Sequence, residues 1–209
     1  MLKIWGRTSS SNVMKLLWLC EELAIPYERV DAGGAFGVTK EPFYLAMNPN
    51  ARVPTIEDGE GFSLWESNAI CRYLANDRAP GHAIYPAAPK PRALVERWMD
   101  WQLANLNAPM STIFFTYVRT PEPERDLTAA ARARDEAEAL WRMVEAQLGG
   151  TPYLCGADLT LGDIALGPYL HRWFALPIAR AELPALRRWY DRLQARHAGF
   201  RTHIAVPMS

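Results

Sequence analysis

The sequence predicts an α+β chain of two domains: a βαβαββα unit over residues 1–78 and an all-helical domain over residues 92–209, joined by a linker at 79–91. Three observations predict it. Short apolar runs alternate with stretches of helical period as far as residue 78. Pro80, Pro86, Pro89 and Pro91 then crowd together, the composition of a domain boundary. Beyond them strand signals all but cease, and long amphipathic patterns follow.

The first strand is Leu2–Trp5 (LKIW), an apolar run stopped by Gly6. Val13, Leu16, Leu17, Cys20 and Leu23 then share one face of a helix that Pro26 closes. Tyr27–Ala32 reads as a second strand, followed by Gly33, Gly34 and Gly37 in a loop around Phe36. Lys40–Met47 reads as a short, irregular helix ending before Asn48-Pro49. Val53–Ile56 and Phe62–Trp65 are two short strands with Asp58-Gly59 between them as a hairpin signal. Ser67 opens a helix with Ile70, Tyr73 and Leu74 inward.

In the second domain a helix is expected from Arg92 to about Tyr117. Its apolar residues form two stripes, Leu94, Trp98 and Trp101 on one and Val95, Met99 and Leu103 on the other. A helix apolar on two sides is buried on two sides, here against its own bundle and a second subunit. Leu127–Leu148 is a plainer amphipath, and Gly149-Gly150 stops it. Thr160 to Asp163 reads as a capping box before Ile164–Tyr169. Leu183-Pro184 introduces a last helix carrying Leu186, Trp189, Tyr190 and Leu193.

Composition narrows the function. With 49% hydrophobic and 22% charged residues over 209 positions, the chain has a soluble, globular profile. Lys plus Arg balance Asp plus Glu at 23 each with no basic run, which argues against a nucleic-acid partner. No apolar stretch is long enough to span a bilayer, and no signal peptide is read at the N-terminus. Cys20, Cys71 and Cys155 lie far apart, so neither a disulfide framework nor a metal site is signalled, and a cytoplasmic location is expected.

The turn before the first helix, GRTSSSN from Gly6 to Asn12, carries more capping residues than a helix needs. Surplus loop is one explanation. The other is that one hydroxyl caps the helix while another faces a ligand. Together with Val53-Pro54, with Glu66-Ser67 opening a helix and with the Thr160–Asp163 box, this order of elements resembles the glutathione S-transferase family over nearly the whole chain.

The resemblance implies a thioredoxin-like first domain that binds glutathione as a cosubstrate, no further cofactor, and a helical second domain. It implies a cis Val53-Pro54 turn whose Val53 backbone pairs with the peptide as an added strand. Ser67 and the helix start would take the γ-glutamyl carboxylate, and Glu66 the ammonium. Lys40 and Arg52 are candidates for the glycine carboxylate, or plain surface residues. Counting back from Ala24-Ile25-Pro26, the catalytic position falls on Ser10, where theta-like members carry serine and some bacterial members threonine, with Ser9 or Ser11 as the alternatives if the turn shifts by one. Asn12 matches a bacterial variant in which the asparagine also reaches the thiol. No cysteine occupies positions 9–12, unlike omega-, beta- or zeta-like members.

The chemistry is modest. Lowering a thiol pKa from about 8.5 by about two units takes roughly 2.7 kcal/mol. One hydrogen bond to a charged acceptor supplies ~1.5–3 kcal/mol, and the helix N-terminus adds ~0.3–1 kcal/mol. Ser10 then acts as a donor to sulfur, with no general base. Met110, Phe114, Phe115 and Tyr117, with Phe36, are candidates to line a pocket for a small hydrophobic electrophile, or are plain core. A homodimer is expected. The competing expectations are a glutathione-dependent peroxidase or disulfide reductase, and a transferase-like domain kept for protein binding.

Overall fold

A computed structural model describes residues 1–208 of the chain. Strand β1 (Leu2–Trp5) lies in the middle of a four-stranded sheet of order β2-β1-β3-β4. It runs parallel to β2 (Tyr27–Val30) and antiparallel to β3 (Thr55–Glu57), which pairs in turn with β4 (Ser63–Trp65). The crossover from β1 to β2 is helix α1 (Ser11–Glu22); α2 (Pro42–Met47) precedes β3, and α3 (Ser67–Arg78) follows β4. The βαβαββα order is therefore present. β3 begins two residues later than expected, because Val53 and Pro54 belong to a turn rather than to a strand. The hairpin connection also takes more than Asp58-Gly59: the Asp58 amide bonds back to the Phe62 carbonyl across three residues of positive φ, Gly59, Glu60 and Gly61.

Helix α1 is buried at every position from Val13 to Cys20, not along one face only. It runs beneath the sheet on one side and against the helical domain on the other. Two contacts fix it there. Lys15, 1% exposed, donates from Nζ to Asn68 Oδ1 on α3 at 3.2 Å and to Gln102 Oε1 of the helical domain at 2.7 Å. The Trp18 ring lies against Gly167 and Gly199, where a Cβ would come within 2.4 Å and 2.7 Å of the indole, so only glycine allows the approach.

The helix expected from Arg92 starts at Pro89. Helix α4 (Pro89–Trp101) takes Pro89 and Pro91 into its first turn, where a missing N–H leaves no bond unmade. The expected single helix up to Tyr117 is a continuous helical path interrupted by two π-helical turns. These are Gln102–Leu106, before α5 (Asn107–Phe114), and Phe115–Arg119 after it. The first turn lies just ahead of Pro109, which has no amide to donate to the preceding turn, and it places Gln102 against Lys15. Helices α6 (Leu127–Leu148), α7 (Leu161–Ala175) and α8 (Pro184–Arg196) follow, with a final π-helical turn Phe200–Ile204 that the sequence reading omitted.

Helix α7 is the centre of this domain, buried along most of its length. Its capping box is present. Asp163, fully buried, accepts the Leu154 amide at 3.0 Å on Oδ1, and on Oδ2 the Thr160 amide at 2.9 Å and the Thr160 hydroxyl at 2.8 Å. Burial raises the Asp163 carboxyl to about 6 against the pull of those bonds.

Candidate active site

The N-terminus of α1 opens into a cleft of about 390 Å³ between the two domains. The turn Arg7 to Asn12 forms one wall, the Gly33-Gly34 loop and Arg52-Val53 a second, and α5 with its π-helical extension and α7 a third. Four arginines, Arg7, Arg52, Arg119 and Arg172, line it, and among the described residues no aspartate or glutamate does. The cleft is thus electropositive in a chain whose net charge is zero.

Ser9, Ser10, Ser11 and Asn12 all reach this cleft. Ser10 is the N-cap of α1, with an extended backbone (φ −85°, ψ 120°). The expectation that one of the hydroxyls caps the helix is not met at this position. Ser10 contributes its carbonyl to the Met14 amide at 2.9 Å, while its side chain makes no cap bond. The hydroxyl of a residue only 9% exposed is therefore left beside the cleft at the positive end of a helix. Asn12 is committed differently: its Oδ1 accepts the Ser67 hydroxyl at 3.3 Å, so α1 and α3 are tied together at their N-termini.

The Val53–Pro54 peptide bond is cis. Two side chains frame it. The Tyr44 hydroxyl donates to the Arg52 carbonyl at 2.7 Å and lies 2.8 Å from Thr55 Oγ1; Asn48 Nδ2 donates to the same two groups, at 2.9 Å each. With its flanks held, the Val53 amide and carbonyl make no hydrogen bond among the described residues. This is the edge an extended peptide can use.

Glu66 precedes α3 with φ 74°, a left-handed conformation that costs a residue with a Cβ roughly 1–3 kcal/mol. It is exposed, and Ser67 beside it is buried. Lys40 is exposed beyond the glycine loop, and only its neighbour Thr39 touches the cleft. Of the expected site residues, then, Ser10, Asn12, Arg52 and Val53 line the cleft directly. Ser67 joins it through Asn12, Pro54 shapes its edge, and Lys40 and Glu66 stand outside its lining.

Of the residues expected to line an electrophile pocket, two line the cleft. Phe114 and Phe115 face the cleft. Met110 is fully buried core, Tyr117 packs under Arg125 at 5.8 Å, and Phe36 is exposed away from the lining. Sequence reasoning missed Arg7, Arg119 and Arg172. For Arg172 a signal existed, since it is the only Lys or Arg in the mostly apolar LGDIALGPYLHRWFA of α7.

The cysteines offer no thiolate of their own. Burial pushes Cys20 and Cys71 up to about 12 and Cys155 up to about 11. Thiol chemistry in this cleft needs a thiol brought from outside.

Known proteins carry the same frame. A family model described as "Glutathione S-transferase, N-terminal domain" matches residues 1–76, and one described as "Glutathione S-transferase, C-terminal domain" matches 128–192. Glutathione S-transferase GstB of Escherichia coli strain K12 is 39% identical, with all of both chains covered. Disulfide-bond oxidoreductase YfcG of the same strain is 27% identical over 90% of this chain and 87% of its own. A crystal structure of the theta class glutathione S-transferase from the citrus canker pathogen Xanthomonas axonopodis pv. citri, with glutathione bound, superimposes with a TM-score of 0.94. It is 45% identical and is covered over 99% of its length by the whole of this chain.

Proposed function

From the premise that the chain belongs to the glutathione S-transferase family, we propose that it binds glutathione in the interdomain cleft, holds it as the thiolate through Ser10 and transfers it to an electrophile. The observation that carries this reading is the uncommitted Ser10 hydroxyl at the N-terminus of α1, inside a cleft whose described lining holds four arginines and no aspartate or glutamate.

Each end of the tripeptide has a fitting partner. The cysteinyl unit pairs with the unbonded Val53 amide and carbonyl beside Pro54. The γ-glutamyl carboxylate meets Ser67 and the first amides of α3, and its ammonium meets Glu66. Asn12 couples these two regions through its bond to Ser67. Arg52 lies in the cleft for the glycine carboxylate, with Lys40 close by in sequence. The thiol proton leaves to solvent, and the sulfur anion accepts from Ser10. Attack on the electrophile forms the C–S bond as the leaving group departs with its electron pair. A glutathione-dependent disulfide reduction is the second reading, favoured by the likeness to the disulfide-bond oxidoreductase; it would use the same activated glutathione.

We place the enzyme in the cytoplasm as a homodimer. Leu94, Leu103 and Met143 are exposed apolar side chains of the helical domain, and Met143 with Trp98 and Trp101 lines a hollow of about 440 Å³ that a second subunit would cover. No helix among the described residues is long and apolar enough to cross a membrane.

Calorimetry with reduced glutathione, followed by conjugation rates for Ser9→Ala, Ser10→Ala and Ser11→Ala, tests the reading. Binding is expected in all four proteins, with kcat/KM lowered ~10–100-fold in Ser10→Ala alone. Absence of glutathione binding by the wild type would favour a non-catalytic, protein-binding role.

A further inference from the structure

Arg172 is a charge without a counter-charge. It projects from α7 into the cleft, is 8% exposed, and has neither a hydrogen-bond nor an ion-pair partner among the described residues. Its Cζ stacks 3.7 Å from the centroid of the Phe114 ring, which Arg119 also approaches, at 5.7 Å. Arg7 completes the group from the opposite wall, close enough to Gly33 and Gly34 to crowd any Cβ placed there. Burial, reinforced by repulsion from Arg119 and Arg7, holds Arg172 down at about 10, and burial with Arg119 lowers Arg7 as well.

The Phe114 face only partly compensates the Arg172 guanidinium in a partly dehydrated site, and Arg7 adds repulsion rather than relief. What Arg172 lacks among the described residues is an anion. The glutathione frame proposed above uses Val53, Arg52, Ser67 and Glu66, on the first-domain side of the cleft. Arg172, Arg119 and the two phenylalanines stand on the helical-domain side, beyond Ser10, where the sulfur's reaction partner must arrive.

We infer that the second substrate is an anionic electrophile: an apolar body resting on Phe114 and Phe115 and carrying a carboxylate or comparable oxyanion that Arg172 grips. This rests on the glutathione-transferase reading and narrows its substrate class from a merely hydrophobic electrophile. The anion is a spectator in the reaction. It positions the electrophilic carbon toward the sulfur, and it offsets the approach of one negative reactant to another.

The test uses two near-isosteric probes, 4-chloro-3-nitrobenzoate and 1-chloro-2,4-dinitrobenzene. In each, glutathione sulfur bonds to the ring carbon and chloride leaves with the bonding electrons. Each kcat/KM is divided by that probe's uncatalysed rate constant with glutathione. The wild type should favour the benzoate by about tenfold or more on this scale, and Arg172→Met should remove most of that preference by raising the benzoate's KM. Since Arg172 is buried, a wild-type measurement stands beside the variant: benzoate, but not benzamide, should inhibit competitively with the electrophile rather than with glutathione.

Equal normalised rates for the two probes, or no inhibition by benzoate, would overturn the inference while leaving the transferase reading intact. So would a raised KM for glutathione in Arg172→Met with the probe preference unchanged, since Arg172 would then hold the tripeptide. Failure of the wild type to bind glutathione or to turn over either probe would instead remove both.

Discussion

Glu66 holds a conformation that glycine would adopt without strain, and its side chain caps nothing. If the carboxylate is there for the ligand, strain and function separate on substitution. Glu66→Gly is expected to leave stability unchanged or raise it by up to about 1 kcal/mol, while glutathione affinity by calorimetry falls about tenfold. Lower stability with unchanged affinity would contradict that assignment. Lys15 makes a different prediction, one about pH. Burial holds its ammonium down at about 8 in the folded protein, against the usual 10.5. Between those values the unfolded chain binds more protons than the native one, so the Lys15 contribution to stability rises as pH rises through that window. Denaturant midpoints of wild type measured relative to Lys15→Met should therefore increase from pH 8 to about pH 10; a flat or falling difference would mean Lys15 stays charged in the core. At this scale Ser10, Val53 and Ser67 were legible because short motifs name them. Arg7 and Arg172 were not, because their meaning depends on two walls of a cleft that meet only in three dimensions.

Among the elements, α1 and α7 carry the junction between domains, and each has one residue that decides it. Gly167→Ala would drive a methyl into the Trp18 ring, at an expected cost of about 1–3 kcal/mol measured by chemical denaturation. Asp163→Asn would give up acceptors at the start of α7 that bind three donors, for about 2–4 kcal/mol at neutral pH. A change under 0.5 kcal/mol in either would show that the junction repacks freely. Helix period and turn residues made most elements readable, α6 to its two ends. What stayed hidden follows from physics the pattern lacks. Pro89 and Pro91 look like linker but sit where a first helical turn accepts them. The π-helical turns keep the apolar rhythm nearly unbroken and so read as one helix. Full burial of α1 depends on a partner layer a hundred and more residues away.

At the scale of the molecule, a chain with no net charge gathers four arginines into a single cleft lining, from a turn, a loop and two helical segments. Composition averages that away, whereas the two-domain plan was visible in the order of periods and prolines. The exposed apolar side chains of the helical domain predict a dimer. Light scattering at micromolar concentration should return twice the chain mass, and a monomer would remove the second subunit from the account. The central claim is that the cleft stabilises a sulfur anion through the Ser10 hydroxyl. Titrating the ultraviolet absorbance of bound glutathione thiolate measures this directly, in wild type and in Ser10→Ala. The account predicts a bound-thiol pKa about two units below the free value of about 8.5 in the wild type, rising by about 1–2 units in the variant. An equal pKa in the two proteins would contradict it.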